Sequence, residues 1–138
     1  MRIFIFSLTC LFLSFSPLRD SSQADKILLL QVDETGQVTI GRDVVSADIL
    51  ARYVQERLFK SFMGTGQMHD RIRLEKTDSD IPLLVLETII QEIREGQKRA
   101  LRELCMQKYS RYFESLDSKK QDRLRKQFPV LFQSDFLE

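Results

Sequence analysis

Apolar and polar residues alternate with the period of a strand from Ile27 to Ile40. Leu28, Leu30 and Val32 fall on one face, and Val38 and Ile40 resume the alternation after Glu34-Thr35-Gly36. A glycine closing so short a loop supplies positive φ. The pattern predicts a β-hairpin over Ile27–Ile40, with Gly41-Arg42-Asp43 as a second turn. The period then changes. Ile49, Leu50, Tyr53, Val54 and Leu58 recur at helical spacing behind Ser46, an N-cap residue type, and predict a helix over 47–62 that ends in Gly64-Thr65-Gly66. Arg71–Thr77 alternates again, with Ile72 and Leu74 inward, and predicts a third strand.

Asp78-Ser79-Asp80 and Pro82 together read as a helix start in which the short polar side chains cap and proline occupies the first turn. From Leu83 the apolar positions Leu86, Ile90, Ile93, Ala100, Leu101, Leu104, Cys105, Tyr112 and Phe113 predict one long helix to about residue 113. Gly96 lies at its middle, where glycine costs about 1 kcal/mol relative to alanine; it marks a bend or a close contact. Ser118-Lys119-Lys120-Gln121 has the form of a capping box, and Pro129 stops a short helix over 118–128. The expected fold is α+β. A small sheet, made of the hairpin and the third strand, packs against helices in the order ββαβα, with a long second helix and a short C-terminal one.

The start of the chain changes this picture. Arg2 precedes Ile3–Ser16, an uncharged and mostly apolar run shorter than the roughly 20 residues of a spanning helix, and Ser22-Gln23-Ala24 offers small residues for cleavage. Residues 1–24 are expected to be a signal peptide or a short N-terminal anchor. Residues 25–138 then form one domain: 25–80 as ββαβ, 81–113 as the long helix, and 114–138 as the C-terminal helix and tail. Cys10 lacks the approach of a lipoprotein site. The 138 residues carry 21 Lys+Arg and 20 Asp+Glu, for a net charge of +1, so no global field draws the chain to nucleic acid. Beyond residue 24 only Cys105 remains, so an internal disulfide is excluded there.

Little chemistry is expected. His69 is the only histidine, and a metal site needs three or four converging ligands; it is read as an exposed loop residue. Cys105 sits at an apolar helix position and is read as a buried, inert thiol. Gly64-Thr65-Gly66 lacks the lysine and the later glycine of a phosphate loop. No cofactor, metal or catalytic residue is expected. Lys119, Lys120, Arg123, Arg125 and Lys126 form a basic stretch interrupted by Asp122. It reads either as a solvated face or, through Lys119, Lys120 and Arg123, as a contact for an anionic cell wall or membrane. Phe128, Phe132 and Phe136 read as a lid over the core. The long helix exceeds the sheet it covers, and Leu86, Ile93, Leu104 and Tyr112 offer a homodimer seam.

Several short patterns in this order resemble the periplasmic domain of the ExbD/TolR family. They are Val32-Asp33 with Gly36, Gly41 with Val44, Ser46 with Leu50, and Asp78 with Pro82 and Ile90. The stretch from Ile93 to Pro129, with Phe113-Glu114-Ser115-Leu116, Gln121 and Phe128-Pro129, is similar to an extended form of the family common in Bacteroidetes. The resemblance implies a non-enzymatic periplasmic part beside an ExbB/TolQ-like motor that drives a TonB/TolA-like protein with the proton gradient. It also implies docking of a partner strand on an exposed sheet edge, for which Gln37 and Thr39 are the candidate positions. The family's spanning helix carries an aspartate, whereas Ile3–Ser16 contains no acidic residue and Asp20 lies beyond Pro17 and Arg19. The family's last strand has no counterpart in the pattern. A self-associating structural or peptidoglycan-binding protein is the alternative expectation, and an enzyme ranks last.

Overall fold

The computed structural model describes residues 26–137. The expected leader at residues 1–24, with Cys10 inside it, lies outside the described residues. Four strands are formed: β1 (Ile27–Val32), β2 (Val38–Ile40), β3 (Asp43–Val45) and β4 (Arg71–Lys76). They lie in the order β3-β2-β1-β4, with β1–β2 and β2–β3 antiparallel and β1–β4 parallel. The helices are α1 (Ala47–Thr65), α2 (Leu83–Tyr109) and α3 (Ser118–Gln127), and single 3-10 turns at Phe113–Ser115 and Pro129–Leu131 flank α3. The fold is therefore the expected α+β arrangement with one strand more. That strand, β3, begins where the pattern suggested only a turn. Gly41 has φ 64°, so the two-residue loop Gly41-Arg42 reverses the chain tightly enough for Asp43–Val45 to pair back on β2.

Alternation places Leu28, Leu30, Val32, Val38, Ile40, Ile72 and Leu74 on the buried face of the sheet. Leu50, Ala51, Val54 and Leu58 of α1 cover it, so the buried stripe runs one position later than Ile49 and Tyr53 suggested. From α2 come Leu86, Ile89, Ile93, Gly96, Gln97, Ala100, Leu104 and Cys105. Each fully buried leucine or isoleucine here contributes about 1.5–3 kcal/mol relative to exposure. Contacts between the helices climb together along both: Gly96 faces Ala51 and Val54, Gln55 donates to Glu103, and Gln107 donates to the Met63 sulfur. α1 and α2 are thus parallel neighbours. A Cβ on Gly96 would stand 2.8 Å from the Ala51 carbonyl oxygen, so this glycine marks a close contact.

The helix ends differ from expectation in their chemistry. Ser46 is the N-cap of α1, yet its hydroxyl donates to the Asp48 carboxylate instead of accepting a backbone N–H. α1 runs on to Thr65 and closes at Gly66, φ 72°, whose N–H bonds the Phe62 carbonyl at 2.7 Å. Pro82 is itself the N-cap of α2. Asp78 does not cap: its Oδ1 accepts the Asp80 N–H at 3.2 Å, an Asx turn before the helix. α2 stops at Tyr109, four residues short of expectation, where Ser110 adopts φ 54°. In α3 the cap is Asp117, whose Oδ1 accepts the Lys120 N–H at 2.9 Å, and not Ser118; Gln121 instead donates to the Phe113 carbonyl at 3.0 Å.

The length of α2 is used within the chain. Leu124, Phe128, Val130, Leu131 and Phe136 are buried in the same core as Leu86, Ile93 and Leu104. The residues that suggested a homodimer seam are thereby consumed, and Tyr112 lies past the helix on the surface. Phe128 packs edge-on against Phe62 with ring centres 5.4 Å apart, and Phe132 lies 5.4 Å from Phe113, so the aromatic tail is a lid, as expected.

Candidate functional site

A sheet offers a partner its edges, and the two edges here have opposite fates. β2 is internal. Thr39 pairs with Gln31 on one side and Val44 on the other, so it cannot dock a strand. Gln37 is in the hairpin turn, where its carbonyl accepts the Asp33 N–H at 3.1 Å and its N–H donates to Asp33 Oδ1 at 3.0 Å. Both candidate docking positions are therefore corrected, because the unrecognised strand β3 covers the edge they were meant to occupy.

The open edge is β3, and the ladder fixes which residue serves it. The bond from Asp33 N–H to the Gln37 carbonyl sets the antiparallel alternation, making Gln31↔Thr39 the next hydrogen-bonded pair. Val38 and Ile40 then turn their backbone groups toward β3 and bond Val45 and Asp43. That leaves the N–H and C=O of Val44 facing outward. The Val44 side chain is 64% exposed. β3 is held at its outer end by Asp43, whose Oδ2 accepts the Tyr53 hydroxyl and Arg57 Nη2, the latter at 3.2 Å. Burial, followed by the bond to Asp43, raises the Tyr53 phenol above its ordinary value. The Arg57 guanidinium also donates to the Tyr53 oxygen, from Nη2 at 3.0 Å and from Nε at 3.3 Å. This cluster pins the edge strand to α1.

The β4 edge is closed by the chain's own tail. The Gln133 side chain imitates a strand residue: its Oε1 accepts the Ile72 N–H at 2.8 Å and its Nε2 donates to the Ile72 carbonyl at 2.7 Å. One step on, Leu74 N–H donates to the Phe136 carbonyl at 2.8 Å, and Leu137 makes a parallel bridge to Leu74. Gln97, 4% exposed on α2, anchors this tail by donating to the carbonyls of Val130 at 2.7 Å and Gln133 at 3.1 Å. The sequence pattern showed no strand here, and the tail contributes this single bridge.

The basic stretch divides into two groups. Lys119, Arg123 and Lys126 line one exposed groove along α3, together with Asp122 and Gln127. Asp122 is engaged by Arg125 at 3.2 Å. Lys120, expected to act with Lys119 and Arg123, is turned instead onto the Tyr109 ring at 5.4 Å. Arg125 spans the rings of Phe113 and Phe132, and Lys108 caps Phe128. The structure thus assembles Lys119, Arg123 and Lys126, and assigns Lys120 and Arg125 to fastening α3. Lys126, outside the expected contact set, could have been found from the spacing of four and three that puts it on one helix face with Lys119 and Arg123.

Reactive chemistry is sparse. Among the described residues no three His, Cys, Asp or Glu side chains converge as a metal site would require. His69 is half-buried, not exposed as expected, and lines a groove with Lys26, Arg57 and Lys60. Cys105 is buried, and desolvation, then the Glu114 charge, raises its thiol above the ordinary value. Thr65 in the Gly64-Thr65-Gly66 segment bonds the carbonyls of Ser61 and Gln67, which completes a helix end. No helix among the described residues is long and apolar enough to cross a membrane. No family model, curated protein or solved structure matches this chain.

Proposed function

We propose that this chain is a non-enzymatic docking module of the cell envelope, working in the periplasm in the manner of ExbD/TolR proteins. It takes up an extended segment of a TonB/TolA-like partner beside an ExbB/TolQ-like motor. The observation that supports this is the asymmetry of the sheet. The β4 edge is sealed by Gln133 and Phe136, while β3 presents Val44 with its backbone donor and acceptor outward. A strand added there gains main-chain bonds, and the exposed Val44 side chain offers an apolar contact.

The test uses a photocrosslinking residue at Val44 and another at Thr39, in cells that contain the motor. Val44 is expected to capture the TonB/TolA-like protein, and Thr39, inside the sheet, to capture nothing. With the crosslinker moved to the neighbouring exposed Arg42, Val44→Pro removes the outward N–H but no bond to β2, so it should abolish capture from Arg42 with little loss of stability. No capture from Val44, under conditions where a full-length ExbD crosslinks, overturns the proposal.

A further inference from the structure

The near-zero net charge conceals a separation along the molecule. Residues 98–127 hold ten basic and four acidic side chains, whereas residues 26–97 hold nine and twelve. The fold turns this into two poles. The ends of α1 and α2 meet at one pole, where Gln107 reaches Met63 and Phe62 packs on Phe128. There α3 presents Lys119, Arg123 and Lys126, and Lys60 lies in a groove with Lys26. Neither Lys26 nor Lys60 forms an ion pair among the described residues. At the opposite pole the hairpin turn meets the first turn of α2, with Gly36 against Val85. Glu34 lies in that turn, Asp78 and Asp80 in the loop before α2, and Glu87 in the second turn of α2. Asp48 in the first turn of α1 and Lys108 in the last turn of α2 lie where the two parallel helix dipoles favour their charges.

The chain enters the domain at the basic pole, since Lys26 precedes β1 and shares the groove with the end of α1. The residues that precede it include the uncharged apolar run Ile3–Ser16. We infer that, given the envelope location proposed for this chain, the basic pole seats on an anionic lipid surface. Lys119, Arg123 and Lys126 contact headgroup phosphates, and the acidic pole points away from the bilayer. Three exposed cations outside a low-dielectric pocket suit a diffuse layer of phosphates better than a single small anion. Asp122 does not cancel them, because Arg125 holds it. Lys120, Arg125 and Lys108, each stacked on a ring, keep α3 in the orientation that presents the other three.

Co-sedimentation of the full chain with two vesicle types tests this. One type is pure phosphatidylcholine and the other roughly one-third phosphatidylglycerol, at low salt. The apolar run contributes equally to both, so the difference between them reads the charged contact. Binding should favour the anionic vesicles. It should fall on the order of 100-fold in the K119Q/R123Q/K126Q variant, about fivefold for each charge removed, and near 0.5 M salt the preference should be largely screened. A D78N/D80N variant at the other pole should retain the preference. The three lysine and arginine positions are solvent-exposed, so an unchanged melting temperature verifies that the triple variant is folded. Equal binding to both vesicle types, or a preference that survives in the triple variant, overturns the inference. So does a triple variant that loses binding to purified peptidoglycan alone, which would assign the groove to the wall polymer. None of these outcomes bears on capture at Val44.

Discussion

Gly96→Ala puts one methyl group between two parallel helices, and the structure provides both the cost and a control. The new carbon would lie 2.8 Å from the Ala51 carbonyl oxygen, 2.8 Å from Val54 Cβ and 2.9 Å from Val54 Cγ1. The first of these is backbone and the second is fixed to it, so no rotamer change relieves them. The helices must part or the core must shift, and overpacking of this kind costs about 3 kcal/mol. Alanine returns about 1 kcal/mol through helix propensity, leaving a net loss of roughly 2 kcal/mol. With a urea slope on the order of 1–2 kcal/mol/M, the unfolding midpoint should fall by about 1 M or more. Gly64→Ala is the same substitution in α1 at a position where a Cβ meets nothing within 4 Å. It should raise stability by about 0.5–1 kcal/mol. Opposite signs for the two variants are the expected result of urea denaturation followed by circular dichroism. A Gly96→Ala protein as stable as the parent would refute the close approach of α1 and α2.

Three further outcomes follow from particular bonds. Gln97→Leu removes the donor to two buried-side carbonyls and should cost about 1–3 kcal/mol; amide exchange at Ile72 should quicken as the tail loosens, and unchanged exchange would show that Gln97 does not anchor it. Asp33 accepts the Thr35 hydroxyl at 2.6 Å and backbone N–H groups, with the hydroxyl bond the main cause of a carboxyl held below its ordinary 3.8. Because the folded value is the lower one, this contribution is complete above the unfolded value and is lost as pH falls through the folded value. An NMR titration should place Asp33 below 3.8, and Thr35→Val should move it upward. Cys105, in a variant with Cys10→Ser, should react with a thiol reagent only at the rate of unfolding, because burial keeps it both covered and protonated; rapid labelling of the folded protein would refute that.

What the sequence disclosed tracks how local each determinant is. The hairpin, the strand at residues 71–76 and all three helices were legible because periodicity and breakers lie within one element. β3 was missed because Asp43-Val44-Val45, unlike the equally short β2, shows no alternation of polar and apolar residues. Its only local signal was the β-branched pair Val44-Val45 after Gly41-Arg42, and its role as the open edge depends on pairing with β2. That omission displaced the docking site to Gln37 and Thr39. Gln133 was invisible for a different reason: a glutamine substituting for a strand across 61 residues of sequence separation has no local signature. The same holds for Gln97, a polar residue on the buried stripe of α2 that only the tail's carbonyls explain. Lys119 and Arg123 were identified from charge alone. Which cations act together was decided by the rings of Tyr109, Phe113 and Phe132, which claim Lys120 and Arg125.

The seal on β4 makes the domain's completion a matter of timing. Val130, Leu131, Phe136 and the Gln133 amide are made long after β4, Gln133 following Ile72 by 61 residues. A chain emerging N-terminus first keeps that side of the sheet and the lower stretch of α2 uncovered until residues 130–137 arrive. Until then it stays open to chaperones, and a fusion partner attached directly after residue 138 sits beside the closure on which the finished core depends.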